Sequence, residues 1–187
     1  MDRVVVRRAV AADAEIIARV VAMAIGDDSA LTEYCGEDYH AVLRAVVLAE
    51  DTQYSWHNAL VAEIDGVPVG AVVGYDGAQL DALRNGTFAV LQQKVGRVPT
   101  IADETEAGEY YLDSIAVDAM YRGRGVGREL ILSLCDKAAA DGHSRVGLIV
   151  DCDNPQAEQL YASLGFERVG ERIFFGHQMW HLVRVVK

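Results

Sequence analysis

Apolar positions along this chain switch between a helical period and a period of two, and the switches predict its elements. Arg3 to Arg7 reads as a first strand. From Ala12 to Ile25, the residues Ile16, Ile17, Val20, Val21, Ala24 and Ile25 follow helical spacing, and Gly26 stops the pattern. A second helix is predicted from about Glu37 to Ala49, with Tyr39, Val42, Leu43, Val46 and Val47 on its inner face. The polar stretch Asp27 to Gly36 between them reads as a loop. Ala59 to Ile64 and Val67 to Tyr75 are apolar runs joined by Asp65-Gly66, a strong hairpin signal. Asp76 to Gly108 holds only fragments of helical spacing and is predicted to be an insertion with one or two short helices over one side of the sheet.

The second half is plainer. Glu109 to Val117 reads as the fourth strand, and a strict period of two puts Glu109, Tyr111, Asp113, Ile115 and Val117 on one face. A glycine-rich turn, Arg122-Gly123-Arg124-Gly125-Val126-Gly127, leads into a helix that runs to Asp141 with Gly142 just past its end. Val146 to Val150 is a continuous apolar strand, as expected when both faces are buried. Asn154-Pro155 supplies a cap and a proline at the first helical position, and that helix ends at Leu164-Gly165. Phe166 to Ile173 and Gln178 to Val186 are the last two strands.

Composition narrows the function. With 187 residues, 51% hydrophobic and 24% charged, the chain is long enough for one well-buried domain and is not a disordered polymer. Its formal charge of −11 opposes a general nucleic-acid partner and allows a cationic or amine-bearing ligand. The cysteines Cys35, Cys135 and Cys152 have neither disulfide-framework nor zinc spacing, so no metal is expected. The run Met1 to Arg8 is interrupted by charge, so no signal peptide is expected, and no stretch reaches the length of uncharged apolar residues that spans a bilayer. The expected compartment is the cytoplasm.

Glycines between a strand and a helix let the backbone approach a ligand and aim successive N–H groups at it, while the helix dipole adds positive charge. That combination suits phosphate. The dinucleotide pattern GxGxxG starting at Gly123 requires glycine where Arg128 stands, and a P-loop fails at the same place. The pattern present is Arg122-x-x-Gly125-x-Gly127.

On these residues the chain resembles the GNAT superfamily of N-acetyltransferases, whose strand–(Gln/Arg)-x-x-Gly-x-(Gly/Ala)–helix motif holds the pyrophosphate of acetyl-CoA. Downstream, Asn154-Pro155-x-Ala157-x-x-Leu160-Tyr161-x-x-x-Gly165-Phe166 is similar to the family's second motif. The resemblance implies an α/β fold over residues 1–187. Its mixed, twisted central sheet would have about six to seven strands flanked by helices, with strands four and five splayed to hold CoA. It further implies that Ile115, Ala116 and Val117 give main-chain contacts to pantetheine and acetyl. Arg122, Gly123, Arg124, Gly125, Val126 and Gly127 would hold the diphosphate, and Arg128 a phosphate. Asn154 would bond the pantetheine amide, and Tyr161 would stand near the thioester sulfur.

Acetyl transfer to an amine needs a neutral amine, a donor for the carbonyl oxygen and a proton for the leaving thiolate. Tyr161 is the candidate acid. Asp113 and Glu109 are the candidate bases, because a carboxylate amid apolar strand residues invites a functional role. On a regular strand Asp113 is about 7 Å from Ile115, and Glu109 about 20 Å away, where a water relay would be needed. His177 and His181 would be about 13 Å apart, too far to share a metal, and suit an edge or subunit contact, with a base or acceptor-contacting role as the alternative. Cys152 has no partner in the sequence that would activate it as a nucleophile.

The expected function is acetyl transfer from acetyl-CoA to a primary amine of a small molecule or peptide, by direct attack in a ternary complex. A non-catalytic acyl-CoA-binding sensor or interaction module on the same fold is the alternative. The amine would enter between Asp27 to Gly36 and Asp76 to Gly108. No nucleic-acid or membrane partner is expected, and a homodimer is left open.

Overall fold

The computed structural model describes residues 3–187; Met1 and Asp2, which begin the charged N-terminal run, lie outside the described residues. In chain order the elements are β1 (Val4–Arg8), α1 (Ala14–Ile25), α2 (Asp28–Cys35), α3 (Tyr39–Leu48), β2 (Ala59–Ile64), β3 (Val67–Asp76) and α4 (Leu80–Val95). They continue with β4 (Tyr110–Val117), α5 (Val126–Ala140), β5 (Arg145–Asp151), α6 (Pro155–Ser163), β6 (Glu167–Phe174) and β7 (His177–Val185). The seven strands form one mixed sheet in the order β1-β2-β3-β4-β5-β7-β6, with β4 and β5 parallel and the other pairs antiparallel.

Both sheet faces are buried. On one, Ile17 and Val21 of α1, Leu43 and Val47 of α3 and Leu91 of α4 pack over Val61, Ala71 and Val73. On the other, Leu130, Ile131 and Leu134 of α5 and Tyr161 of α6 cover Ala62, Val72, Leu148 and Leu182. Burial of the inward stripes of α1, α3 and α5 is the main force holding the layers together, at about 25 cal/mol per Å2 of apolar surface. Local signals fix the ends. Gly26 leaves α1 in the left-handed region at φ 77°, and Asp65 and Gly66 both have positive φ in the β2–β3 turn, as an Asp-Gly hairpin requires.

Three expectations are corrected. First, Asp27 to Gly36 is not a loop: Asp27 caps α2 by accepting from the Ser29 and Ala30 N–H groups, and Leu31, Tyr34 and Cys35 bury a stripe at helical spacing. Second, the 76–108 segment, expected to hold one or two short helices, has a 3-10 turn at Gly77–Gln79 that runs into the 16-residue helix α4, longer than expected. Gly86, costly in a helix interior, permits α4 to lie on the Asp51 backbone, where a Cβ would stand 1.8 Å from the carbonyl oxygen.

Third, β4 does not keep a strict period of two. Opposite Val73 and Gly74 its pairing skips from Ser114 to Leu112, which leaves Asp113 as the extra residue of a bulge. Leu112 and Ile115, three positions apart, consequently pack into the same cluster. Asp113 therefore does not share the face of Ile115 and Val117.

Candidate active site

The strands β4 and β5 pair only at Tyr110–Val146 and Tyr111–Gly147. Beyond that point β5 stays with β7 and β4 with β3, so the facing edges part. A cleft of about 610 Å3 opens there. Its walls include Tyr111 to Ile115 of β4, Ile149 to Asp151 of β5, Asn154 and Tyr161 at α6, the start of α2, Phe174 at the end of β6 and Phe175 in the turn after it.

Past the open end of β4 lies the glycine turn. Gly123 and Gly125 have φ of 75° and 82°, and a Cβ on either would meet nothing within 4 Å, so they are needed for backbone shape and leave open space above the turn. The first backbone bond of α5 runs from the Glu129 N–H to the Gly125 carbonyl, so the N–H groups of Val126, Gly127 and Arg128 have no helical partner. Arg122 Nε donates to the Val117 carbonyl at 3.1 Å and ties the turn to the strand end, and Arg124 lies over the Tyr121 ring. Ile115, Ala116 and Val117 pair on one edge with Val72, Ala71 and Gly70, and their other edge faces the gap. Together these features form an extended donor and acceptor surface that fits a diphosphate with an amide-bearing arm.

Asn154 caps α6 by accepting from the Ala157 N–H at 3.1 Å, which uses its amide oxygen and leaves its NH2 group for a ligand. Tyr161 is only 8% exposed, stacks edge-on against Phe166, and has its phenol pushed up to about 12 by burial. Its hydroxyl makes no hydrogen bond to another described residue and is not sealed in the core, so it is directed to the cleft.

The two candidate bases separate. Asp113 lines the cleft, accepting from Ser114 Oγ at 2.7 Å and from the Tyr75 hydroxyl at 2.8 Å. Burial raises its pKa, against those bonds and the Arg84 charge. Glu109 does not line the cleft. It is buried just before β4, where its carboxylate accepts from Thr105 Oγ1 at 2.7 Å and meets His181 Nε2 at 2.9 Å. Burial pushes its pKa up, but the bonds to His181 and Thr105 outweigh this and hold it below the ordinary value. The expected shared face of Glu109 and Asp113 is thus replaced by a cleft carboxylate and a buried strut.

Sequence reasoning missed Glu104 and Tyr75, which also meet at the cleft. Glu104 Oε2 accepts from Arg84 at 2.5 Å, and its other oxygen accepts from Gln53 at 3.1 Å. Burial foremost, and then the Asp113 charge, raise its pKa to about 7, with Arg84 opposing. Only the acidic run from Asp103 to Glu106 hinted at it. His177 is exposed at the cleft mouth, 2.9 Å from Asp151, whereas His181 is buried on Glu109. Cys152 is flanked by Glu171, Asp151 and Asp153, and burial with these charges raises its pKa, the reverse of an activated thiol. No described helix is long and apolar enough to cross a membrane.

The splayed strands and the glycine turn at a helix start are the fold features that comparison with known proteins bears on. The profile of the acetyltransferase (GNAT) family matches residues 27–166, and the chain belongs to that family. It is 34% identical over 161 residues to a mycothiol acetyltransferase of Gordonia bronchialis, covering 81% of this chain and 48% of that protein. It is 36% identical over 116 residues to the N-alpha-acetyltransferase RimI of Mycobacterium tuberculosis, covering 62% and 56%. The chain thus spans about half the length of these curated relatives. A crystal structure of an acetyltransferase, 33% identical, superposes with a TM-score of 0.83 over 98% of this chain and 100% of the other.

Proposed function

We propose that residues 1–187 form one acetyltransferase domain, with an insertion at about 76–108, that transfers acetyl from acetyl-CoA to a primary amine by direct attack in a ternary complex. The observation that carries this reading is the parting of β4 from β5, which opens a cleft lined by both Tyr161 and Asp113 and leaves the free edge of β4 leading toward the glycine turn. Acetyl-CoA supplies a thioester carbonyl. The turn from Arg122 to Gly127 holds its diphosphate through N–H groups left free at the start of α5, with the Arg122 N–H itself kept on the Ala119 carbonyl, assisted by the Arg124 and Arg128 charges. The open edge of Ile115, Ala116 and Val117 pairs with the pantetheine arm, and the Asn154 NH2 group donates to it.

Asp113 takes a proton from the acceptor nitrogen, and Tyr161 gives its phenolic proton to the departing sulfur. A phenol raised to about 12 by burial holds its proton at neutral pH until a thiolate needs it. The carboxylates Asp27, Glu33, Asp113 and Asp151 in the cleft wall favour a cationic acceptor. Glu109, enclosed by His181 and Thr105, has a supporting role only. The test is a screen of amines, aminoglycosides and peptides with acetyl-CoA, reading free thiol. Amine-dependent thiol release supports the proposal, and release indifferent to every amine opposes it.

A further inference from the structure

The reaction proposed above leaves one cleft carboxylate unused. Glu104 is 3% exposed yet lines the cleft, held there by contacts from three distant parts of the chain. Arg84 of α4 donates to Oε2, Gln53 of the segment before β2 donates to Oε1, and the Tyr75 hydroxyl of β3 stands 3.5 Å from Oε1. Gln53 is itself fixed, because its N–H donates to Thr87 Oγ1 of α4 at 3.2 Å. That same Tyr75 hydroxyl donates to Asp113 Oδ2 at 2.8 Å. One phenol therefore stands between two carboxylates, one half-buried in the cleft wall and one deeper.

A purely structural ion pair needs only Arg84 and Glu104. It does not account for the Tyr75 hydroxyl, which accepts from Gln53 Nε2 at 3.1 Å and donates to Asp113, nor for the Gln53 amide oxygen, which is buried without a partner among the described residues. A site that must hold a proton transiently accounts for both. We infer that Glu104 is a second proton acceptor for the incoming amine, reached from Asp113 through the Tyr75 hydroxyl. This rests on the acetyltransferase reading.

The proton count supports it. An ammonium acceptor loses two protons from nitrogen as the N–C bond forms and the C–S bond breaks, while the sulfur gains one from Tyr161. Asp113 takes the first proton and the Tyr75 hydroxyl hands one on to Glu104, which leaves Asp113 ionised for the second. After product release one proton returns to Tyr161 and one goes to water, so the chain is restored. The groups facing Glu104 are Arg84 of α4, Tyr75 of β3, Asp113 and Tyr111 of β4, Tyr34 of α2, and Tyr54. Of these Arg84 alone is cationic, and it offsets the Asp113 charge, so a carboxyl titrating to about 7 suits proton exchange at neutral pH.

Two measurements on the full chain test this. The first needs no acceptor: the CoA-bound protein, labelled with carbon-13 at the glutamate carboxyls, is titrated by NMR from about pH 4 to about pH 9. One resonance should titrate near neutrality, vanish in Glu104→Gln, and move to lower pH in Asp113→Asn. Ordinary titration of every glutamate would overturn the inference. The second uses whichever amine the screen identifies. Tyr75→Phe and Glu104→Gln should each lower kcat by about 10–100-fold, with the KM for acetyl-CoA within about threefold, and should flatten the acid limb of the pH profile. The double variant should be no worse than the poorer single one, since the two groups act as a unit. Losses that multiply would overturn the relay while leaving the acetyltransferase reading intact. Absence of turnover with every amine, in a chain that binds CoA, would end both.

Discussion

Gly147 lacks a side chain where the Glu109 carboxylate lies: a Cβ at 147 would come within 2.2 Å of Glu109 Oε2. Gly147 is also the last β5 residue paired with β4, so the Glu109–His181 pair sits at the fork where the strands part. Gly147→Ala should evict the carboxylate from a buried pair and lower stability by about 3 kcal/mol, read by denaturant unfolding. A change of about 0.5 kcal/mol or less would mean that the fork yields easily.

Stability should respond to pH with two opposite signs. Glu109 is held below its ordinary 4.5, so its contribution is present above about pH 4.5 and is lost as pH falls through the lower folded-state value. Glu104 is raised to about 7, so between about pH 4.5 and about pH 7 the folded chain keeps a proton that the unfolded chain has released. Stability should therefore decline as pH rises through that window. Thermal melts across it should show the decline in the unaltered chain and a flatter curve in Glu104→Gln; the same slope in both would contradict the assignment.

The glycine turn gives a sharper test. Gly125 has φ 82°, a conformation that opposes any β-branched residue, and the space above it is open. In calorimetry, Gly125→Val should weaken CoA binding by about 100-fold or more, each tenfold being about 1.4 kcal/mol. Unchanged affinity in a folded variant would remove the turn from the binding site.

Tyr161→Phe removes only a hydroxyl that has no partner among the described residues. CoA affinity should stay within about threefold while turnover falls about 10-fold or more, because that proton is used only as the sulfur leaves. Full turnover, with chemistry shown to limit the rate, would exclude Tyr161 as the acid.

The parts legible in the sequence are those governed by local chemistry. Arg122 to Gly127 and Asn154-Pro155 announce helix starts through glycine, cap and proline, and the Asp65-Gly66 turn announces its hairpin. The α2 helix was written locally too, in the Asp27 cap and the Leu31, Tyr34 and Cys35 stripe, but its polar residues outweighed that signal. The bulge at Asp113 depends on how β4 pairs with β3, and one extra residue inverted the expected face. Glu104 was hidden for a similar reason. Its partners Arg84, Tyr75 and Gln53 are 20, 29 and 51 residues away, so only tertiary packing assembles the cluster.

Direct transfer itself can be followed by mixing the chain with carbon-13-acetyl-CoA and an amine found by the screen, then weighing protein and amine by intact mass spectrometry. The account predicts that the amine gains one acetyl group for each CoA thiol released, while the protein mass stays unchanged at every time point. Acetyl appearing on the protein before the amine, or CoA bound tightly with neither thiol release nor acetylated amine, would contradict it.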